Sequence, residues 1–376
     1  MIVQHPMLWC AACLMSGIAI GLNSPLPYYL PLLAFVLIAC TLTRKTEHWH
    51  DVLTPLVWLL LGCTRASVGI VHDAEPAWKQ TVEQKAKAVQ TGMIARLERS
   101  GVSPHTLALC SALVVGKKDD MEREARRAYR QVGASHLLAL SGLHLGILYG
   151  FLYLIFIRWV RHSKWRWYSL PFILLCLWGF ALVAGMPVSL LRAALMLSVI
   201  SVVSLMQYDT DPLHSLALSA IIILLIEPTD LFSISFQLSF AAVFFLLALW
   251  KPLSDRFPEL CWGVKILAVS CIATLGTMPL TLYYFHQLPL LGPLLSLILI
   301  PLTTLIIYLT LAAIILPIAP LGWLLNVVES LQQWVIEVAG SIPGGILTDI
   351  YPSATVVALM YGALLLAVVR LRTRST

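Results

Sequence analysis

The stretch S-H-L-L-A-L-S-G-L-H-L-G-I-L-Y-G, Ser135 to Gly150, decides how the rest of the chain is read. Its leucines and isoleucines are apolar enough to enter a bilayer, yet it carries His136, Ser141 and His144 and is loosened by Gly142, Gly146 and Gly150. Glycine in a helix costs about 1 kcal/mol against alanine, and a buried polar side chain is costly unless it finds a partner. A simple anchor needs neither. The run is therefore expected to be a working membrane helix whose glycines let it break or be approached closely. Its two histidines are expected near the mouth of a cavity.

Composition sets the class. The chain is 59% hydrophobic and only 12% charged, with a mean hydropathy of +0.85, whereas soluble domains carry roughly 25% charged residues. This excludes an ordinary soluble protein and predicts an all-α, polytopic membrane helix bundle. The net charge of +6 is accounted for first by loops retained in the cytoplasm. The eight cysteines are scattered singly, so they form no disulfide framework. Cys10 and Cys13 make one C-x-x-C inside an apolar run with no second ligand pair to complete a zinc site. H-W-H-D at 48–51 lacks the spacing and the final histidine of a metallo-β-lactamase zinc signature, and reads as a polar loop. The first run has no basic segment ahead of it, so no cleavable signal peptide is expected.

Working outward from the opening stretch, three runs precede it at about 7–22, 26–42 and 52–71, the first two parted by N-S-P-L-P and expected to form a tight hairpin. The third carries Arg65. Residues 72–134 change character: Trp78, Val82, Val89, Met93 and Leu97 recur among lysines, arginines and glutamates with the period of an amphipathic helix. Two further helices are expected there, the last with acids at its start and arginines at its end, as the helix dipole favours. This segment is expected to pack on the membrane helices or to lie along lipid headgroups. Later apolar runs fall at about 170–184, 188–206, 213–226, 232–249, 264–285, 290–316, 321–340 and 354–369. The division is then 1–71, N-terminal membrane helices; 72–134, a short extracytoplasmic helical segment; and 135–376, the main membrane domain. About ten to twelve membrane helices are expected, some broken by internal proline or glycine. Placing Arg44 and Lys45, the block from Arg158 to Arg166, Lys251 with Arg256, and the terminal R-L-R-T-R inside satisfies the positive-inside rule, with both termini cytoplasmic.

Polar residues within these runs are the candidate functional groups. A charge at a membrane-helix centre costs about 2.5–3.5 kcal/mol on insertion scales, so Arg192 in S-L-L-R-A-A-L-M either faces an interior or snorkels to a nearby end. Gln237 and Ser239 in F-Q-L-S-F-A-A suit hydrogen bonding between helices. His136 and His144 lie roughly 80° apart on an ideal helix and more than two turns distant, too far for one metal. Behind the opening helix, R-W-V-R-H-S-K-W-R-W-Y at 158–168 has the look of a membrane interface, and its charge and rings also suit single-stranded nucleic acid.

Several of these pieces occur in an order that resembles one family. G-A-S-H-L-L-A-L-S-G-L-H-L-G-I-L at Gly133 to Leu148 is similar to the signature of the ComEC-type competence proteins, channels that internalise transforming DNA. S-A-L-V-V-G-K-K-D-D precedes it, and S-L-L-R-A-A-L-M, F-S-I-S-F-Q-L-S-F-A-A and T-M-P-L-T-L-Y-Y-F-H-Q-L-P-L-L-G-P follow in family order. The likeness spans roughly Thr106 to Leu311. It carries over Gly133, His136, Ser141, Gly142, His144, Arg192, Gln237 and Ser239 as pore or functional candidates. Full-length members also have an OB-like domain and a metallo-β-lactamase-like domain, and neither is expected in this chain. Where the family often has asparagine five residues before a late proline, this chain has Ser296 before Pro301.

The resemblance implies a channel in the cytoplasmic (inner) membrane for single-stranded DNA, not an enzyme, with no cofactor, metal or catalytic residue. It implies membrane lipid, a cytoplasmic ATPase or helicase, extracytoplasmic DNA-receptor proteins and further copies of the chain as partners. Few acids within the apolar runs and the cations at Arg65 and Arg192 suit a polyanion. Two other readings stay open. Broken helices with internal histidine and arginine also suit a small-molecule or ion transporter. Ser141 and His144, three apart on one helix face, suit an intramembrane hydrolase, although no orienting acid lies nearby.

Overall fold

The computed structural model describes residues 6–23, 32–33, 36, 47–69, 77–117, 123–138, 142–161, 163–206, 211–342 and 345–373. The described chain is almost wholly helical: α1 Pro6–Asn23, α2 Glu47–Gly69, α3 Ala77–Arg99, α4 Pro104–Cys110, α5 Arg123–Gln131, α6 Ser135–Leu138, α7 Gly142–Arg161, α8 Ser163–Val183, α9 Val188–Leu205, α10 Pro212–Ile226, α11 Ile234–Arg256, α12 Trp262–Phe285, α13 Gly292–Ile315, α14 Ala319–Gly340 and α15 Ala354–Thr373. A π-helical turn, Ser111–Val115, continues α4, and a 3-10 turn, Pro228–Phe232, leads into α11. Among the described residues the only sheet pairs β1, Leu288–Pro289, with β2, Ile346–Leu347, antiparallel.

Five described helices are long and apolar enough to cross a membrane: α1, α11, α12, α13 and the Ala354–Leu371 part of α15. Five shorter apolar helices accompany them, Pro104–Val115, Gly142–Phe156, Trp167–Val183, Val188–Val203 and Pro212–Ile226. The chain is therefore an all-α, multi-pass membrane helix bundle. Run 26–42, expected to pair with the first helix, lies outside the described residues except for 32–33 and 36, which are helical.

The closest helix pairing seen joins α1 to α2, and glycines set it. A Cβ on Gly17 would stand 1.9 Å from the Leu59 carbonyl oxygen, and one on Gly62 would stand 2.3 Å from that of Leu14. Backbones meet directly, as small residues allow in membrane helices. Arg65 on α2 reaches the end of α10, its Nε donating to Leu225 O and its Nη2 to Ile226 O, both at 2.7 Å. A cation inside an apolar run thus satisfies carbonyls that a helix end leaves open.

The amphipathic segment rests on apolar helices. Leu97, Leu109, Leu113, Val115, Tyr129 and Val132 share one core with Leu299, Ile306 and Ala313 of α13 and Leu325, Val328 and Ile336 of α14. Ser103 caps α4, accepting from Thr106 N at 3.2 Å, and Gly116 at φ 81° ends the π turn. Gln90 of α3 donates to Val115 O and Val183 O, and Arg96 to Ile314 O, so α3 closes three helix ends.

α14 is amphipathic in the inverse sense. Glu329 and Gln332 are buried inward, while Trp323, Val327, Leu331, Trp334 and Val338 are exposed along the other side. The inward groups find partners on the neighbouring elements. Glu329 Oε1 lies 2.8 Å from His105 Nδ1 of α4, and Gln332 Nε2 donates to Tyr129 Oη of α5 at 3.0 Å and to Thr303 Oγ1 of α13 at 3.3 Å.

The glycines of the opening stretch work less than expected. Gly146 and Gly150 of α7 have nothing within 4 Å of a built Cβ, and Gly142 has only Ala193 Cβ at 3.3 Å. The backbone approach expected at Gly146 and Gly150 is therefore absent from the described residues. Close approach is used instead at Gly17 and Gly62. Gly62→Leu is expected to lower the melting temperature of the detergent-purified protein by forcing α2 off α1, an overpacking cost of about 1–3 kcal/mol. Gly146→Ala, by contrast, should leave it unchanged or slightly raised.

Candidate functional site

The site begins where α8 turns into α9. Gly185 at φ 80° and Met186 at φ 50° reverse the chain, with Met186 N donating to Ala181 O at 2.8 Å to close the helix end. Pro187 then starts α9, its carbonyl accepting from Leu190 N and Leu191 N. This fixes Arg192 one turn inside α9. It does not snorkel: the residue is 1% exposed.

A second chain reversal comes to meet it. α10 stops at Ile226, and the 3-10 turn Pro228–Phe232 carries Asp230. Ser233 caps α11, accepting from Phe236 N at 3.2 Å and donating through Oγ to Asp230 O at 2.9 Å. Arg192 Nη2 donates to Ser235 Oγ, Nη1 stands 3.8 Å from Asp230 Oδ2, and the guanidinium carbon lies 6.0 Å from the Phe236 ring centre. Phe236 in turn stacks on Phe240 with centroids 4.2 Å apart.

Gln237 joins a third element. Its Nε2 donates to Leu231 O at 3.1 Å, and its Oε1 accepts from Tyr284 Oη at 2.9 Å, at the end of α12. Both ends of the amide are held, so Gln237 ties the 3-10 turn, α11 and α12 together. Ser239 is half-buried on α11. α12 ends at His286, φ 56°, whose ring lies 4.3 Å from Tyr351, and β1 follows. Gly133, φ 74°, presses on the same turn: a Cβ there would come within 2.2 Å of Pro289 Cβ.

Of the residues singled out from sequence, Arg192 and Gln237 belong to one cluster, bridged by the 3-10 turn and the start of α11. Gly142 opens α7 and touches Ala193, the residue after Arg192, and His144 is buried at 1% exposure. His136 falls on α6, but its side chain, like the whole of Ser141, lies outside the described residues. The same holds for the side chains of 157–166 in the basic aromatic block. The sequence reading missed Asp230, Ser235 and Tyr284. The available signal was positional: Asp230 stands three residues before a helix-capping serine. Among the described residues no three His, Cys, Asp or Glu side chains gather as metal ligands.

Electrostatically the cluster is under-satisfied. An arginine fork offers five donors, yet here Nε and Nη1 have no hydrogen-bond partner. Among the described residues one hydroxyl, one carboxylate beyond hydrogen-bond distance and one aromatic face compensate it, although buried charge normally demands close pairing.

The fold and this cluster define a polytopic membrane protein whose sequence motifs converge on one polar junction among apolar helices. The Competence protein family model matches residues 113–374, and the chain belongs to that family, the ComEC type. It is 35% identical over 213 residues to ComE operon protein 3 of Bacillus subtilis (strain 168), covering 56% of this chain and 26% of that protein. It is 26% identical over 219 residues to Recombination protein 2 of Haemophilus influenzae, covering 52% of this chain and 27% of that one. An uncharacterized protein of Mycoplasma pneumoniae is 27% identical over 281 residues, 70% of each chain. The chain thus spans about a quarter of the length of the two named relatives. No solved structure matches it.

The Gln237–Tyr284 bond should be measurable as a coupling. Gln237→Leu is expected to destabilise the purified protein by about 1–3 kcal/mol, since it strands the tyrosine hydroxyl and the Leu231 carbonyl. Tyr284→Phe should cost less, and the double variant should fall short of the sum by about 1 kcal/mol in a thermal-unfolding cycle.

Proposed function

We propose that this chain is the membrane part of a DNA-uptake channel, passing single-stranded DNA into the cytoplasm during natural transformation. The observation that carries the reading is convergence. S-L-L-R-A-A-L-M, F-S-I-S-F-Q-L-S-F-A-A and the Y-Y-F end of T-M-P-L-T-L-Y-Y-F are far apart in sequence, yet meet through Arg192, Ser235, Gln237 and Tyr284. Membership of the competence family supports the cargo. A polyanion needs cationic or hydrogen-bonding groups on its route and aromatic faces beside them, and Arg192 over Phe236 supplies both chemistries.

The protein sits in the cytoplasmic membrane, multi-pass, with both termini cytoplasmic and the basic residues Lys251, Arg256 and Arg370 on that side. The chain carries no G-x-x-x-x-G-K-[ST] phosphate loop, so a cytoplasmic ATPase or helicase supplies the pull. Receptor proteins outside deliver the strand, and copies of the chain assemble in the lipid. The burial of Arg192 means that the junction is closed as it stands.

The test is deletion of the gene followed by transformation of a competent host with labelled DNA. Uptake into the cytoplasm is expected to fall to background while DNA still binds the cell exterior, and Arg192→Gln supplied in trans should fail to restore it. Undiminished uptake in the deletion strain overturns the reading.

A further inference from the structure

The unsatisfied arginine has a geometry that says what it lacks. Arg192 is 1% exposed, yet among the described residues its Nε and Nη1 donate to nothing and its Nη2 donates to Ser235 Oγ. Ser235 itself is exposed, and the Asp230 side chain, 15% exposed, sits 3.8 Å from Nη1. Arginine therefore lies just beneath the surface of the junction, covered by a carboxylate that is near enough to pair but too far to accept a hydrogen bond.

Three kinds of donor gather at this junction. The guanidinium offers Nε and Nη1, charged donors of the kind that bind the oxygens of carboxylate or phosphate. The start of α11, a helix of 23 residues, directs its positive end toward the turn that carries Asp230. Ser235 adds a hydroxyl at the rim. Donors of this kind, with one loosely held oxyanion among them, make a site for a tetrahedral or planar oxyanion in which a protein side chain currently stands. The other acid of the turn, Glu227, is exposed and accepts from Thr229 Oγ1 at 2.6 Å.

We propose that Asp230 is a built-in stand-in for a phosphodiester group, so that the Arg192–Asp230 contact is a closed gate opened when a DNA phosphate displaces the carboxylate. The proposal rests on the DNA-uptake reading and goes beyond it by naming the group that blocks the site and the one that replaces it. Asp230 is suited to leave. It lies on a five-residue 3-10 turn between two helices, held through its backbone by Glu227 and Ser233 rather than through its carboxylate.

The test uses the full chain in nanodiscs of neutral phosphatidylcholine and a fluorescent single-stranded oligonucleotide, with thermal melting to confirm that each variant is folded. Removing the stand-in's charge with Asp230→Asn is expected to tighten oligonucleotide binding by about tenfold, since like charge no longer competes for the arginine. Asp230→Ser, a smaller second variant, should do the same, and Asp230→Glu should restore the weak binding. Arg192→Gln should abolish the gain, so that Arg192→Gln with Asp230→Asn binds no better than Arg192→Gln alone. If the wild-type chain binds and neither neutral variant binds tighter, the gate is overturned and the uptake reading stands. If no variant binds, both fail together. A gain that disappears when phosphatidylglycerol replaces the neutral lipid assigns the site to lipid headgroups and overturns the DNA gate.

Discussion

A polar atom inside a bilayer has no water to turn to, so it must find its partner within the chain. That constraint organises this bundle more than any single apolar contact does. Hydroxyls within the apolar helices fold back onto the carbonyl four residues earlier, as Thr64, Ser198, Ser296 and Thr304 do. Arg65 spends its donors on the open end of α10, and Gln90 and Arg96 spend theirs on the ends of other helices. α14 turns Glu329 and Gln332 inward and tryptophans outward, the reverse of a helix in a soluble protein.

The same constraint explains why the segment before the signature helix belongs to the bundle. Its elements supply the groups that α13 and α14 need: His105 for Glu329, Tyr129 for Gln332, and Cys110, whose sulfur accepts from Thr310. Against that background Arg192 stands apart. Arg65 is paired with carbonyls at hydrogen-bond distance, whereas Arg192 is buried with donors left over. The deficit falls where three sequence motifs meet.

Much of the fold was legible beforehand because lipid imposes a coarse code. Apolar length located α9, α10, α12 and α13 to within a few residues of where they form, while α7, α8 and α11 each differ by about seven residues at one end. The amphipathic period in 77–99 and the two helices after it were likewise readable, since helix periodicity and the helix dipole act locally. Gly146 and Gly150 were read wrongly for a related reason: glycine in a helix signals freedom of approach but not whether any neighbour takes it up. Gly17 and Gly62, where backbones do meet, look no different in sequence. Arg192 and Gln237 could be singled out because a polar group in an apolar run is costly wherever it sits. Asp230 and Tyr284 could not, because a loop acid and a tyrosine at a helix end are ordinary until their partners are known.

The sequence by itself determined the solvent, the all-helical class, the family and the polar side chains that must be accounted for, since transfer cost depends only on residue type and local run. The tertiary structure alone decided which of those side chains are satisfied. Partner distance is a property of elements far apart in the chain: Arg192 and Asp230 are separated by the rest of α9 and all of α10 in sequence and by 3.8 Å in space. Whether a cation is a capped structural element, like Arg65, or an incompletely paired one, like Arg192, therefore appears only when the bundle is assembled.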